Sequence, residues 1–113
     1  MTVSPLPELD LDELRRFCAE QWPEEFKDEV RLEVRVRGSR VSVDECRPAF
    51  DGAPGEWTST PVAQPRYDEE GLWTLYYADS NSRWQLYSEL EPRQPIAVII
   101  AELDEDPTCI FWG

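Results

Sequence analysis

The run from Val62 to Tyr87, VAQPRYDEEGLWTLYYADSNSRWQLY, constrains the fold more than any other stretch of the chain. It reads as three short strands joined by two tight turns, and it holds two of the five tryptophans and all four tyrosines. Asp68-Glu69-Glu70-Gly71 has the composition of a type I turn closed by a left-handed glycine, with a bulge at Gly71. That turn aligns Tyr67 with Trp73, Pro65 with Leu75 and Ala63 with Tyr77. Pro65 cannot donate to a ladder, so its strand is expected at an edge or with the missing donor facing outward. The turn from Asp79 to Arg83 admits two registers. A two-residue Asn81-Ser82 turn sets Leu86 opposite Tyr77, whereas a three-residue loop with Ser82 left-handed sets it opposite Tyr76, and one slip exchanges the faces. In either register, Trp73, Leu75, Tyr76, Tyr77, Trp84, Leu86 and Tyr87 supply more apolar surface than one face can hold. Part of the second face must therefore be covered by a long loop, by the chain termini or by another protein.

Upstream, Val30, Leu32, Val34 and Val36 alternate with Arg31, Glu33, Arg35 and Arg37, the period of a half-buried strand. Gly38-Ser39 suits a two-residue turn with glycine first. Folding there brings Val36 opposite Val41 and Val34 opposite Val43, so both apolar sets share a face. The same register sets Arg37 against Arg40 and Glu33 against Asp44, both unfavourable like-charge pairs. It also places Glu45 opposite Leu32 on the apolar side, which a bulge near Asp44 or a position at the end of the sheet would relieve.

Two helices flank these strands. Asp10 has the look of an N-cap, with Glu13 in the capping-box position and Leu9 and Leu14 spaced as a hydrophobic staple. From there Leu11, Leu14, Phe17, Cys18 and Trp22 fall on one helical face until Pro23 ends it or opens a short turn through Phe26. Near the end of the chain, Pro95 opens a helix to about Asp104 whose buried stripe is Ile96, Ile99, Ile100 and Leu103. The residues before Glu8 are expected to be an extended lead-in, and the apolar tail Ile110-Phe111-Trp112 to dock on the body or form an interface. Pro48 to Pro61, with three prolines and two glycines, reads as a long irregular loop whose Phe50 and Trp57 either anchor it to the sheet, the favoured reading, or are presented to a partner.

The 113 residues make one domain, and 24 acidic against 11 basic residues give it a formal charge of −13. Such a surface argues against nucleic-acid or membrane binding. There is no histidine, which removes Ser-His and Cys-His nucleophile pairs and the usual catalytic zinc sites. None of the five glycines forms a phosphate-loop spacing. The acids at 68–70 and 104–106 lack the ligand pattern of a calcium loop and read as solvated charge. Cys18, Cys46 and Cys109 are an odd, unpaired set, which points to a reducing cytoplasm, and none has a lysine or histidine beside it to activate it. We expect no catalytic residue, no metal and no cofactor. Arg31, Arg35, Arg37 and Arg40 form a basic stripe on the outward side of the first hairpin. The simplest role for the stripe is to pair with Glu24, Glu25, Asp28 and Glu29; the other is to hold single-stranded nucleic acid beside the meander's aromatics.

The segments EWTSTPVAQPRYDEEGLWTLYYADSNSRW and AELDEDPTCIFWG carry a resemblance to a family of small bacterial proteins, domain of unknown function 3024. It spans nearly the whole chain, on the spacing of Trp57, Tyr67, Trp73 and Trp84 ahead of the DPTCIFWG ending. The chain departs from it at Ser82, where a turn glycine is expected, and at Cys109, where another small residue is usual. The resemblance implies a compact cytoplasmic α+β domain and assigns no activity.

The expected architecture is α+β: a five-stranded antiparallel meander with an N-terminal and a C-terminal helix on one face. The expected function is a non-enzymatic module that binds an unknown protein partner, or itself, through Trp57, Tyr76, Trp84 and Trp112. Alternatives are a small-molecule site or weak enzyme between the sheet and the 48–61 loop, with Glu45 and Arg47 as its polar groups, and an acidic mimic of nucleic acid that occupies a basic protein.

Overall fold

The computed structural model describes residues 6–49 and 55–112. Helix α1 (Glu8–Glu20) and a short 3-10 turn (Glu24–Phe26) precede strands β1 (Arg31–Arg37), β2 (Arg40–Pro48), β3 (Trp57–Tyr67), β4 (Trp73–Ala78) and β5 (Trp84–Leu86), and helix α2 (Ile96–Glu105) follows. The strands form one antiparallel sheet in sequence order, β1 to β5. Both helices pack on the same side of it. Leu11, Leu14 and Cys18 from α1 and Ile96, Ile99 and Leu103 from α2 meet Val41, Val43, Ala63, Trp73 and Leu75 in one core.

The first hairpin adopts the register its alternation dictates, with Val34 opposite Val43 and Val36 opposite Val41 around Gly38 at φ 61°. The meander follows its turn chemistry equally closely. Asp68 Oδ1 accepts the backbone N–H of Glu70 and of Leu72, Gly71 is left-handed, and Tyr67 pairs with Trp73. At the next turn the three-residue register holds: Ser82 is left-handed at φ 61° and Leu86 lies opposite Tyr76. Cys109 is also left-handed, at φ 60°, so Ser82 and Cys109 both stand in the conformation that glycine adopts most easily.

Five expectations need correction. The segment 48–61 is not a long loop: β2 runs to Pro48 and β3 starts at Trp57, with Cys46 opposite Ser59 and Arg47 opposite Thr58. Pairing with the polar half of β2 overrides the turn-like composition. Phe50, with its anchoring role, and the lead-in before Leu6 lie outside the described residues; Leu6 itself is buried. Pro65 is not on an edge strand either, since β3 is the middle strand. The ladder to β2 is interrupted between Arg40↔Arg66 and Val43↔Ala63, and the missing donor falls in that gap. The bulge expected near Asp44 exists between β2 and β3, at Val43/Asp44, while the β1–β2 ladder runs unbroken with Glu45 still opposite Leu32.

Asp10 does not cap α1, and its staple does not form. The cap is Pro7, whose carbonyl accepts the Leu11 N–H, and Leu9 is 77% exposed. Asp10 instead sits in the first turn, where a carboxylate is favoured by the helix dipole, and accepts the Trp73 indole N–H at 2.8 Å. The acids at the end of α2 are not all solvated. Asp106, left-handed at the helix C-cap, accepts the backbone N–H groups of Phe111 and Trp112, and Phe111 stacks on Tyr87 at 4.9 Å.

Candidate functional site

The sheet's other face, away from the helices, is where the strands' alternate residues accumulate. By the observed register it receives Arg31, Glu33, Arg35 and Arg37 from β1, and Arg40, Ser42, Asp44 and Cys46 from β2. Trp57, Pro61, Gln64 and Arg66 from β3, Thr74 and Tyr76 from β4, and Trp84 and Leu86 from β5 belong to it as well. Among the described residues no helix crosses it.

A hydrogen-bonded chain forms the floor. The Arg66 guanidinium lies 3.7 Å from the Tyr76 ring and donates from Nε to Gln64 Oε1 at 2.8 Å. Gln64, only 6% exposed, donates from Nε2 to Ser42 Oγ at 3.0 Å. The side-chain amide of Gln64 thus meets both its neighbours, as a buried polar group must. Burial and the positive charge of Arg40 push the Arg66 guanidinium below its usual pKa, in the direction that makes an added negative charge welcome. Beside this floor is a groove of about 630 Å³ whose walls include Arg37, Arg40, Pro61 and Trp84.

The basic stripe is not neutralised as expected. Arg31 meets Glu33 at 3.6 Å and lies 4.0 Å over the Trp57 ring, and Arg35 meets Asp44 at 2.8 Å. Among the described residues none of the four arginines forms an ion pair with Glu24, Glu25, Asp28 or Glu29, and Arg37 and Arg40 pair with no carboxylate. Asp44 is 3% exposed; its Oδ2 takes the Arg35 contact, and its Oδ1 finds no donor among the described residues. Cys46 is buried beside it. Burial, followed by the Glu33 and Asp44 charges, pushes its thiol up, the opposite of activation.

The predicted aromatic set divides. Trp57, Tyr76 and Trp84 share the open face, but Trp112 does not. Its indole N–H donates to the Leu103 carbonyl at 2.6 Å on the helix side, where Phe111 and Asp106 hold the tail. Glu45 and Arg47 meet each other at 3.0 Å at the far end of β2 and line neither the open-face groove nor the hollow beside Trp22. That hollow, about 330 Å³ between α1 and β1, has Cys18, Leu32 and Val34 in its walls. Burial raises the Cys18 thiol to about 12. Sequence reading missed Ser42, Gln64 and Arg66. Strand parity carried the signal: once Ala63, Pro65 and Tyr67 face the core, Gln64 and Arg66 must face away.

A family model described as domain of unknown function DUF3024 matches residues 3–113, and the chain belongs to that family. No curated protein and no solved structure matches the chain. Among the described residues no helix is long and apolar enough to cross a membrane.

Proposed function

We propose that this DUF3024 domain is a non-enzymatic binding module that docks another protein on the open face of its sheet. One observation carries this reading: a groove of about 630 Å³ combines Trp84 with two arginines, Arg37 and Arg40, that no carboxylate of the described residues neutralises. Aromatic and arginine side chains are the residue types that concentrate binding energy at interfaces. Among the described residues nothing at the face is arranged as a nucleophile with a base, and burial pushes up the thiol of Cys46, which lies on it. Three free thiols fit a cytoplasmic protein.

Photocrosslinking in the native host tests it. A benzoylphenylalanine in place of Trp84 is expected to form discrete protein adducts, while the same group in place of Val98, exposed on α2, forms none. Adducts at neither position, or equally at both, would remove the open face from consideration.

A further inference from the structure

We infer that the element docked on this face is a short acidic peptide segment, its aspartate or glutamate carboxylates seated on Arg37, Arg40 and Arg66 and an apolar side chain set against Trp84. The inference rests on the reading of the face as a docking surface and adds the chemistry of what docks there.

The first ground is charge. The chain has 11 basic residues against 24 acidic ones, yet five of the 11 (Arg31, Arg35, Arg37, Arg40 and Arg66) belong to this one face. Two of the five, Arg31 and Arg35, have carboxylate partners on their own hairpin. The other three have none among the described residues. Arg37 stands directly across the ladder from Arg40, and Arg40 from Arg66. Like charges so placed repel, and a chain with acids in excess has every means to neutralise them. An external carboxylate removes the repulsion, and the planar guanidinium fork donates to both its oxygens in two-point geometry.

The second ground separates a peptide from a nucleic acid. A single strand is held by stacking successive bases on free rings. Here the Trp57 and Tyr76 rings already carry the guanidinium groups of Arg31 and Arg66, at 4.0 and 3.7 Å, which leaves Trp84 as the ring without such a cover. A polyanion longer than the patch would also run onto a body of net charge −13, whereas a segment with a few carboxylates ends within it. A second copy docking symmetrically through this face is disfavoured, because it would set arginine against arginine. The exposed apolar surface of Leu86, 46% accessible on this face, suits a segment with a hydrophobic anchor better than a small inorganic anion.

Fluorescence anisotropy decides it, using a fluorescein-labelled synthetic peptide of glutamates around one leucine, the same peptide with glutamine for glutamate, and labelled oligodeoxythymidylate. The glutamate peptide is expected to bind, to weaken as salt rises, and to bind at least about tenfold more tightly than the glutamine version. The Arg37→Glu/Arg40→Glu chain, checked for an unchanged circular dichroism spectrum, is expected to lose at least about tenfold in affinity. Equal binding of the two peptides, tighter binding of the oligonucleotide, or indifference to the double substitution would overturn the inference. If the peptide fails while crosslinks from position 84 persist in the doubly substituted chain, the acidic segment falls and the docking face stands. Loss of the crosslinks at position 84 in the unsubstituted background removes both.

Discussion

The two faces of this one sheet are made by the same strands, residue by alternate residue, and they solve opposite problems. Toward the helices, Val41, Val43, Ala63, Trp73 and Leu75 are 0–2% exposed and meet the apolar stripes of α1 and α2. Away from them, Ser42, Gln64, Arg66 and Tyr76 form a bonded polar floor flanked by Arg37 and Arg40, which meet no carboxylate among the described residues. Burial sets the first face and leaves little choice of residue. The second keeps unfavourable like-charge neighbours that folding does not ask for. Stability and recognition are therefore separable by strand parity, and substitutions on the two faces should differ in sign as well as size.

The largest effect belongs to Trp73, fully buried, stacked with Tyr67 at 4.8 Å and bonded through its indole N–H to Asp10. Trp73→Ala is expected to lower the free energy of unfolding in urea by about 3–5 kcal/mol. A loss below about 1 kcal/mol, near the ~0.5 kcal/mol usual for surface changes, would mean the helix-side face is not the main core.

That contrast shows what was legible in the chain. The register of the first hairpin followed from alternating valines, and that of the meander from Asp68 to Gly71, because local turn chemistry and periodicity agree there. Asp10 was misread because its partner, Trp73, is 63 residues away, and a capping-like position looks the same whatever the carboxylate finally meets. The strand from Trp57 to Pro61 was missed because it is imposed by pairing with β2 rather than by its own composition. The apolarity of the tail announces that it docks on the body, as it does, but not where: that Asp106 turns Trp112 back onto Leu103, away from the surface aromatics, depends on a helix cap the local pattern does not show. Long-range partners, in each case, outweighed local pattern.

The second effect comes from Cys18, a thiol on the core side of α1 that burial raises from 9.0 to about 12. Its folded pKa lies above its unfolded one, so the native state holds the proton more tightly. The contribution is whole below about pH 9 and is lost as the pH climbs toward 12. Cys18→Ala is expected to flatten the fall in stability across that window, by a few kcal/mol at its alkaline end given about 1.36 kcal/mol per unit. An identical alkaline profile for both chains, measured by urea titration, would place the thiol in contact with water.

Third is the link between the helix layer and the sheet. Asp10→Ala leaves the Trp73 indole N–H of a fully buried ring without its acceptor and is expected to cost about 1.5–3 kcal/mol. In the Trp73→Phe background, where no donor remains, the same change should cost markedly less. Additive losses in that double-mutant cycle would mean the contact contributes nothing of its own.

The smallest effect is the one that sets the faces apart. Arg37 and Arg40 stand opposite each other beside the turn of the first hairpin, without carboxylate partners among the described residues, on the face that carries the groove. Cross-strand like charges of this kind are worth about 0.2–1 kcal/mol in the unfavourable direction. Arg37→Glu turns the repulsive pair into an attractive one, so the fold is expected to gain a few tenths of a kcal/mol in urea denaturation while binding at the groove is lost. A gain in stability joined to a loss of binding is what a recognition residue gives, since its folded-state cost is recovered only when an anion arrives. If Arg37→Glu instead destabilised the chain by more than about 1 kcal/mol, the arginine would be holding the sheet together and the parity division between the two faces would fail at its most direct point.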